Sequence, residues 1–289
     1  MPEAGRTPGA EDTLDLALEY DNRARVPDYP AILDGWIRRS ATLRAEVPAA
    51  DLGVPYGPSP RQTLDILWPD ASRQAPVVLF FHGGYWQHGH PRNFSFVAEG
   101  CLAQSVAMAI AGYDLTPDVS LATIVAQARA AALCLARLVG RKVVACGHSA
   151  GGHLTAALLC TPWREHSPGA PADLVPAGVG LSGVYDVEPL VATPLNTALR
   201  LTPEEARRVS PSAWAVPPGR VFDAVVGGEE SSEFLRQSRH ITDLWATQGA
   251  TTRYVELPAT NHFTILEPLT DPRSALVQRL TSLARGITD

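Results

Sequence analysis

The sequence predicts an α/β fold, a mostly parallel central sheet flanked by helices, with a small helical lid inserted late in the chain. Three observations predict it. From Thr63 to Leu257, short strand-like runs alternate with helical stretches, the pattern of a parallel sheet covered on both faces. One stretch, Ser120–Val139, repeats apolar residues at three- and four-residue spacing with Arg129 and Arg137 between them, as a helix lying on a sheet does. A chain of 289 residues, 45% hydrophobic and 19% charged, can bury one full-sized core, so residues 1–289 are expected to form a single domain.

Taken in order, the sequence before Asp51 is helical in character, with Pro27 and Pro30 setting a break. Strands are expected at Thr63–Trp68, Val77–Phe81, Ala107–Ala111, Lys142–Gly147, Ala177–Leu181, Phe222–Gly227 and Thr252–Leu257. Between Asp186 and Pro218 no strand pattern occurs, and P-L-N-T-A-L-R-L-T-P-E-E-A-R-R reads as short helices after a strand's carboxyl end, the place for a lid. Asp271–Arg285 reads as a closing amphipathic helix. The 25 prolines fall between these segments and not in one low-complexity tract, and no internal repeat is visible.

A formal net charge of −6 without a Lys/Arg block leaves no electrostatic footprint for nucleic acid or an anionic membrane, so a small molecule is the expected partner. A homodimer is compatible with this composition. The N-terminus, M-P-E-A-G-R-T-P-G-A-E-D-T, has no cationic stretch followed by an apolar one, and the longest apolar runs are broken by Gln104, Gln127 and Arg129. A cytoplasmic location is the expectation. Cys101, Cys134, Cys146 and Cys160 each lie singly in apolar surroundings, as buried thiols do, not as disulfides or a metal cluster.

The chemistry starts at V-V-A-C-G-H-S-A-G-G-H-L-T-A-A-L-L, where an apolar strand runs into G-x-S-x-G and on into a helix. Such a turn holds its serine in strained geometry with the hydroxyl lifted clear of the sheet, and it needs small neighbours. Gly147 and Gly151 supply them, and Ser149 is the expected nucleophile. A serine hydroxyl is a poor nucleophile until a base takes its proton, and on this arrangement the acid and then the histidine follow the serine. Only His240 and His262 come late enough. His240 lies in a helical stretch as a surface residue, whereas His262 lies in P-A-T-N-H-F-T-I, the loop between the last strand and the last helix. His262 is therefore the expected base. The acid that orients it falls among Glu229, Glu230 and Glu233 in G-E-E-S-S-E-F, with Glu230 preferred.

V-V-L-F-F-H-G-G-Y-W is a buried strand opening into two glycines. Backbone N–H groups of Gly83 and Gly84, with that of Ala150 after the nucleophile, are expected to form an oxyanion hole. Tyr85 and Trp86 are candidates to line a pocket for a flat substrate. His88 and His90 invite a metal reading, but no carboxylate or cysteine cluster completes a site beside them, so neither metal nor cofactor is expected.

Several segments together resemble the serine-dependent arylformamidase (kynurenine formamidase) branch of the α/β-hydrolases. They are E-Y-D-N-R-A-R-V-P, Y-G-P-S-P-R-Q-T-L-D-I, which looks like that branch's first strand, H-G-G-Y-W, F-S-F-V-A, G-H-S-A-G-G-H-L, L-S-G-V-Y-D and E-S-S-E-F-L-R-Q-S. The resemblance implies the α/β-hydrolase fold, a triad on Ser149, Glu230 and His262, and oxyanion donors on Gly83, Gly84 and Ala150. Many relatives have Asp where Glu230 stands, which keeps Glu229 in play as the acid. The implied reaction is hydrolysis of N-formylkynurenine to kynurenine and formate, a step of tryptophan catabolism. A general short-chain carboxylesterase and a non-catalytic binding protein on the same fold are the alternatives, since fold and triad do not settle substrate.

Overall fold

A computed structural model of the chain describes residues 14–286. Eight strands form one sheet: β1 (Ala49–Pro55), β2 (Thr63–Trp68), β3 (Val77–Phe81), β4 (Ala107–Ala111), β5 (Val144–His148), β6 (Ala177–Leu181), β7 (Val221–Gly227) and β8 (Thr251–Leu257). Their order is β1-β2-β4-β3-β5-β6-β7-β8. β1 and β2 run antiparallel at one edge, and every pairing from β4 onward is parallel.

The inner strands are buried along their whole length, and their side chains alternate between two cores. Val77, Leu79 and Phe81 join the core beneath the helices Leu121–Val139, Ala150–Leu159 and Ser232–Thr247. Val78 and Phe80 join the opposite core, beneath Tyr29–Glu46 and Ala275–Gly286. Removing one such side chain, as in Leu79→Ala, leaves a void costing about 2–5 kcal/mol. The Leu121–Val139 helix starts where the Ser120 hydroxyl accepts from the Thr123 amide at 3.2 Å, and ends on left-handed Gly140. It is apolar and long enough to cross a membrane by length and composition, but its Leu121, Ile124, Ala128 and Leu135 face is buried against the sheet.

The strand expectations need two corrections. β1 begins at Ala49, at the end of the stretch before Asp51 that reads as helical, and continues through residues given no element, so the first strand is Ala49–Pro55, and the Y-G-P-S-P-R-Q-T-L-D-I segment leads into the second. β1 is an edge strand carrying Gly53 and Pro55, with a register shift between Asp51 and Val54, so it lacks the apolar pattern of a buried strand. β5 starts at Val144: the Val143 amide bonds to the Leu174 carbonyl at 3.1 Å outside the ladder, and Lys142 pairs with Asp173 at 2.6 Å. The 186–218 segment is a series of short helical pieces, Glu188–Ala192, Asn196–Leu199, Pro203–Arg208 and Pro211–Ala213, as its sequence implies. The final helix begins at Ala275.

Candidate active site

The parallel strands end on one side of the sheet, and the loops leaving β3, β5, β7 and β8 there carry the predicted site residues, as open α/β sheets carry theirs. At the end of β5 the backbone turns through Ser149 at φ 55°, ψ −115° and continues directly into Ala150–Leu159. No L-residue adopts that geometry without strain of about 1–3 kcal/mol. The packing imposes it. A Cβ on Gly147 would lie 2.1 Å from the Gly151 carbonyl oxygen, and one on Gly151 would lie 1.9 Å from that of Phe81. The Ser149 amide is tied to Leu181 at 2.8 Å.

His262 stands in the loop after β8, only 6% exposed. Its Nδ1 lies 2.6 Å from Oε2 of Glu230, whose side chain is fully buried. Since a carboxylate only accepts, Nδ1–H donates, and the Nε2 lone pair is left available for a proton. Glu230 is held in turn: its Oε1 accepts from the Gly227 amide at 2.7 Å and from the Ser182 hydroxyl. The other two carboxylates are elsewhere. Glu229 is exposed, and Glu233 pairs with Arg236 at 2.6 Å and accepts from the Tyr20 hydroxyl at 2.9 Å. His240 is exposed on its helix.

His148, inside the elbow motif, is a residue the sequence reading did not single out. Its Nε2–H donates to the His262 carbonyl at 2.8 Å, so it anchors the loop that carries the expected base. Burial, with His262 beside it, holds its pKa well below the ordinary value, and the ring stays neutral. The G-H-S pattern announced the serine but gave no hint of a contact 114 residues away.

Gly83, Gly84, His148, Ser149 and His262 line one cavity of about 770 Å³. Among the described residues, the N–H groups of Gly83, Gly84 and Ala150 donate to no backbone carbonyl outside the regular ladders. Gly84 (φ 115°), Tyr85 (φ 51°) and Trp86 (φ 58°) form a left-handed run that turns the loop over the end of the sheet. The run separates the two aromatics. Tyr85 lines the cavity; burial keeps its phenol protonated, and it donates to the Tyr20 carbonyl at 2.7 Å. Trp86 does not line it: fully buried, it packs edge-on against His153 at 5.0 Å, because consecutive side chains on this turn point apart. The remaining wall comes largely from segments to which the sequence assigned no site role, including Tyr20, Asn22, Tyr29 and Trp36 from the N-terminal helices and Phe94 and Phe263. Thr193, Pro194 and Leu195, within 186–218, also contribute. His88 and His90 are exposed, and among the described residues no group of three His, Cys, Asp or Glu side chains could hold a metal ion. All four cysteines are free.

The sequence pattern of the alpha/beta hydrolase family matches residues 78–286, and the chain belongs to that family of hydrolases. Within it the chain is arylformamidase-like. It is 32% identical over 242 residues to kynurenine formamidase of Salmo salar, covering 80% of this chain and 81% of that protein, and 30% identical over 258 residues to kynurenine formamidase of Danio rerio, covering 85% and 86%. A crystal structure from Silicibacter sp. tm1040, of a protein provisionally described as a thioesterase, superposes with a TM-score of 0.84 at 29% identity, over 93% of this chain and 100% of that one.

Proposed function

We propose that this hydrolase cleaves aryl formamides such as N-formylkynurenine through a Ser149–His262–Glu230 triad. The observation that carries the reading is the buried His262–Glu230 pair at 2.6 Å, opening on the same cavity as the strained serine. In the proposed first half-reaction, the Ser149 hydroxyl oxygen attacks the formyl carbon while His262 Nε2 takes the hydroxyl proton. The carbonyl oxygen becomes an oxyanion facing the N–H groups of Gly83, Gly84 and Ala150, where preset donors commonly lower a barrier by about 3–4 kcal/mol. His262 then gives its proton to the amide nitrogen, the C–N bond breaks, and the arylamine leaves a formyl ester on Ser149. In the second half, water attacks that ester as His262 takes its proton; the proton passes to the Ser149 oxygen and formate departs. Every proton travels through His262, so the steps call on no cofactor.

The two kynurenine formamidase relatives support the formamide as substrate. So does the cavity, whose aromatic lining of Tyr20, Tyr29, Trp36, Phe94 and Phe263 suits a flat leaving group. Tyr85, and not Trp86, takes the wall position beside the glycines in this reading, and 186–218 serves as the lid over the ring. The deciding experiment compares kcat/KM of the purified protein on N-formylkynurenine and on butyryl and longer aryl esters. Efficient formamide cleavage supports the proposal; inert formamides with rapid turnover of the longer esters replace it with a general carboxylesterase.

A further inference from the structure

We propose that Asn22 selects amides over esters, its Oδ1 accepting the N–H of the scissile nitrogen; the assignment rests on the formamidase reading above. Asn22 is 4% exposed and lines the cavity that holds Ser149 and His262. Its orientation is fixed by a chain of bonds. The Tyr85 hydroxyl spends its proton on the Tyr20 carbonyl at 2.7 Å and can only accept from Asn22 Nδ2, at 3.2 Å. The amide group therefore cannot flip, and Oδ1 is the end left over. Among the described residues that oxygen is buried without a hydrogen-bond partner. A desolvated carbonyl oxygen with no donor is unfavourable, and a ligand N–H relieves it.

The side of the cavity is the right one. Tyr20 meets Phe234 edge-on at 5.8 Å, and Phe234 lies 4.7 Å from the His262 ring. Tyr29 stacks on Phe263 at 5.6 Å. The segment holding Asn22 is thus packed on the His262 flank, where the leaving group must sit to receive its proton. When the formyl carbon becomes tetrahedral, the amide nitrogen pyramidalises. Its lone pair has to face His262 Nε2–H, which swings the N–H away from the histidine and toward the cavity wall. An acceptor there is used in the transition state of an amide, whereas an ester oxygen carries no hydrogen to offer it.

Formanilide and phenyl formate share acyl and aryl groups and differ only in N–H against O, so they isolate this contact. In Asn22→Ala we expect kcat/KM for formanilide to fall about 10- to 100-fold and that for phenyl formate to change by less than about threefold. Tyr85→Phe leaves Oδ1 in place but removes the bond that orients it, so it should lower formanilide more than phenyl formate, and by less than Asn22→Ala does. Asn22→Leu, close in volume and without polar atoms, makes the same test should the alanine variant fail to fold. Equal losses on the two substrates would show that Asn22 merely holds Tyr85 and would overturn the proposal. Wild-type protein that cleaves phenyl formate but no formanilide would overturn the formamidase reading itself, a result visible before any variant is made.

Discussion

Glu230 and His262 meet at 2.6 Å with the carboxylate fixed on its other oxygen by the Gly227 amide and the Ser182 hydroxyl. The carboxylate cannot rotate away from the imidazole, and Nδ1–H has one acceptor. Glu230→Gln places an amide beside Nδ1 and loses the hold on the tautomer, so kcat should fall by about 10²- to 10⁴-fold. Glu229→Gln, on an exposed side chain, should stay within about twofold of wild type in the same assay. Comparable losses in both variants would remove Glu230 from the triad.

Glu233 is the carboxylate whose loss should appear in stability. It joins Arg236 on its own helix to Tyr20, and Tyr20 accepts from Gln237 Nε2 at 2.6 Å, so Glu233→Gln weakens the bonds holding the N-terminal helices to the body. Chemical denaturation should show a loss of about 1–3 kcal/mol. An unchanged midpoint would mean this network contributes nothing measurable.

At the elbow, the role proposed for Ser149 and the stability of the fold oppose each other. Ser149 sits at φ 55°, ψ −115°, a region glycine adopts with far less strain. Ser149→Gly should therefore unfold at a higher temperature, with about 1 kcal/mol or more of added stability, while turnover drops by at least about 10³-fold. A glycine variant that melts earlier than wild type would contradict the strain argument.

Three histidines are buried neutral: burial lowers His82 to about 3 and His153 to about 4, and holds His148 well below its ordinary value. In the unfolded chain each returns to about 6.5. Between about pH 6.5 and 4 the unfolded state therefore binds protons that the native state does not, and stability falls as pH drops through that window, each group adding at most about 1.4 kcal/mol per pH unit. His153 Nε2–H donates to the Val209 carbonyl at 2.6 Å, a bond that His153→Gln can keep. That variant should show a shallower loss of stability between pH 6 and 5 in urea titrations. Parallel curves for the two proteins would show that His153 does not titrate on unfolding.

What the sequence disclosed follows from where each signal resides. The inner strands and the elbow are local: their apolar runs and glycine spacing are needed wherever the rest of the chain goes. Glu230 was one of three carboxylates in G-E-E-S-S-E-F after one strand, and only its burial against Ser182 and Gly227 separates it from Glu229. Tyr20 and Asn22 were hidden more deeply. They contact Glu233, Gln237 and Tyr85 across 63 to 217 residues of sequence, and the E-Y-D-N-R-A-R-V-P segment entered the reading through its resemblance alone, with no side chain in it given a site role. Trp86 shows the converse, since an aromatic beside two glycines reads as pocket wall until the left-handed turn at Tyr85 and Trp86 sends it into the core.

The proposed substrate makes a demand on the acyl side that can be measured. A formyl group is the smallest acyl group, so its carbon carries hydrogen where an acetyl group carries methyl. In the proposed reading the acyl group sits beside Ser149 and Gly83, where space is short: a Cβ added to Gly83 would come within 3.1 Å of the Ser149 Cβ and 2.8 Å of His148 Nδ1. His148 cannot yield easily, because its Nε2 is bonded to the His262 carbonyl, and moving it would shift the proposed base. An acetyl methyl therefore either displaces the acyl carbon from the oxyanion donors or strains the histidine loop. One methyl group in a close-packed site changes transition-state binding by about 1–3 kcal/mol, so formanilides should exceed acetanilides in kcat/KM by about 10- to 200-fold. The difference should lie mainly in kcat, since the aryl group binds the same cavity in both. Activated nitrophenyl esters are a poor substitute in this comparison, because a good leaving group reacts even when the acyl carbon is misplaced. Equal kcat for formyl and acetyl anilides would show that the acyl side is roomy and would remove the structural reason for a formamide preference.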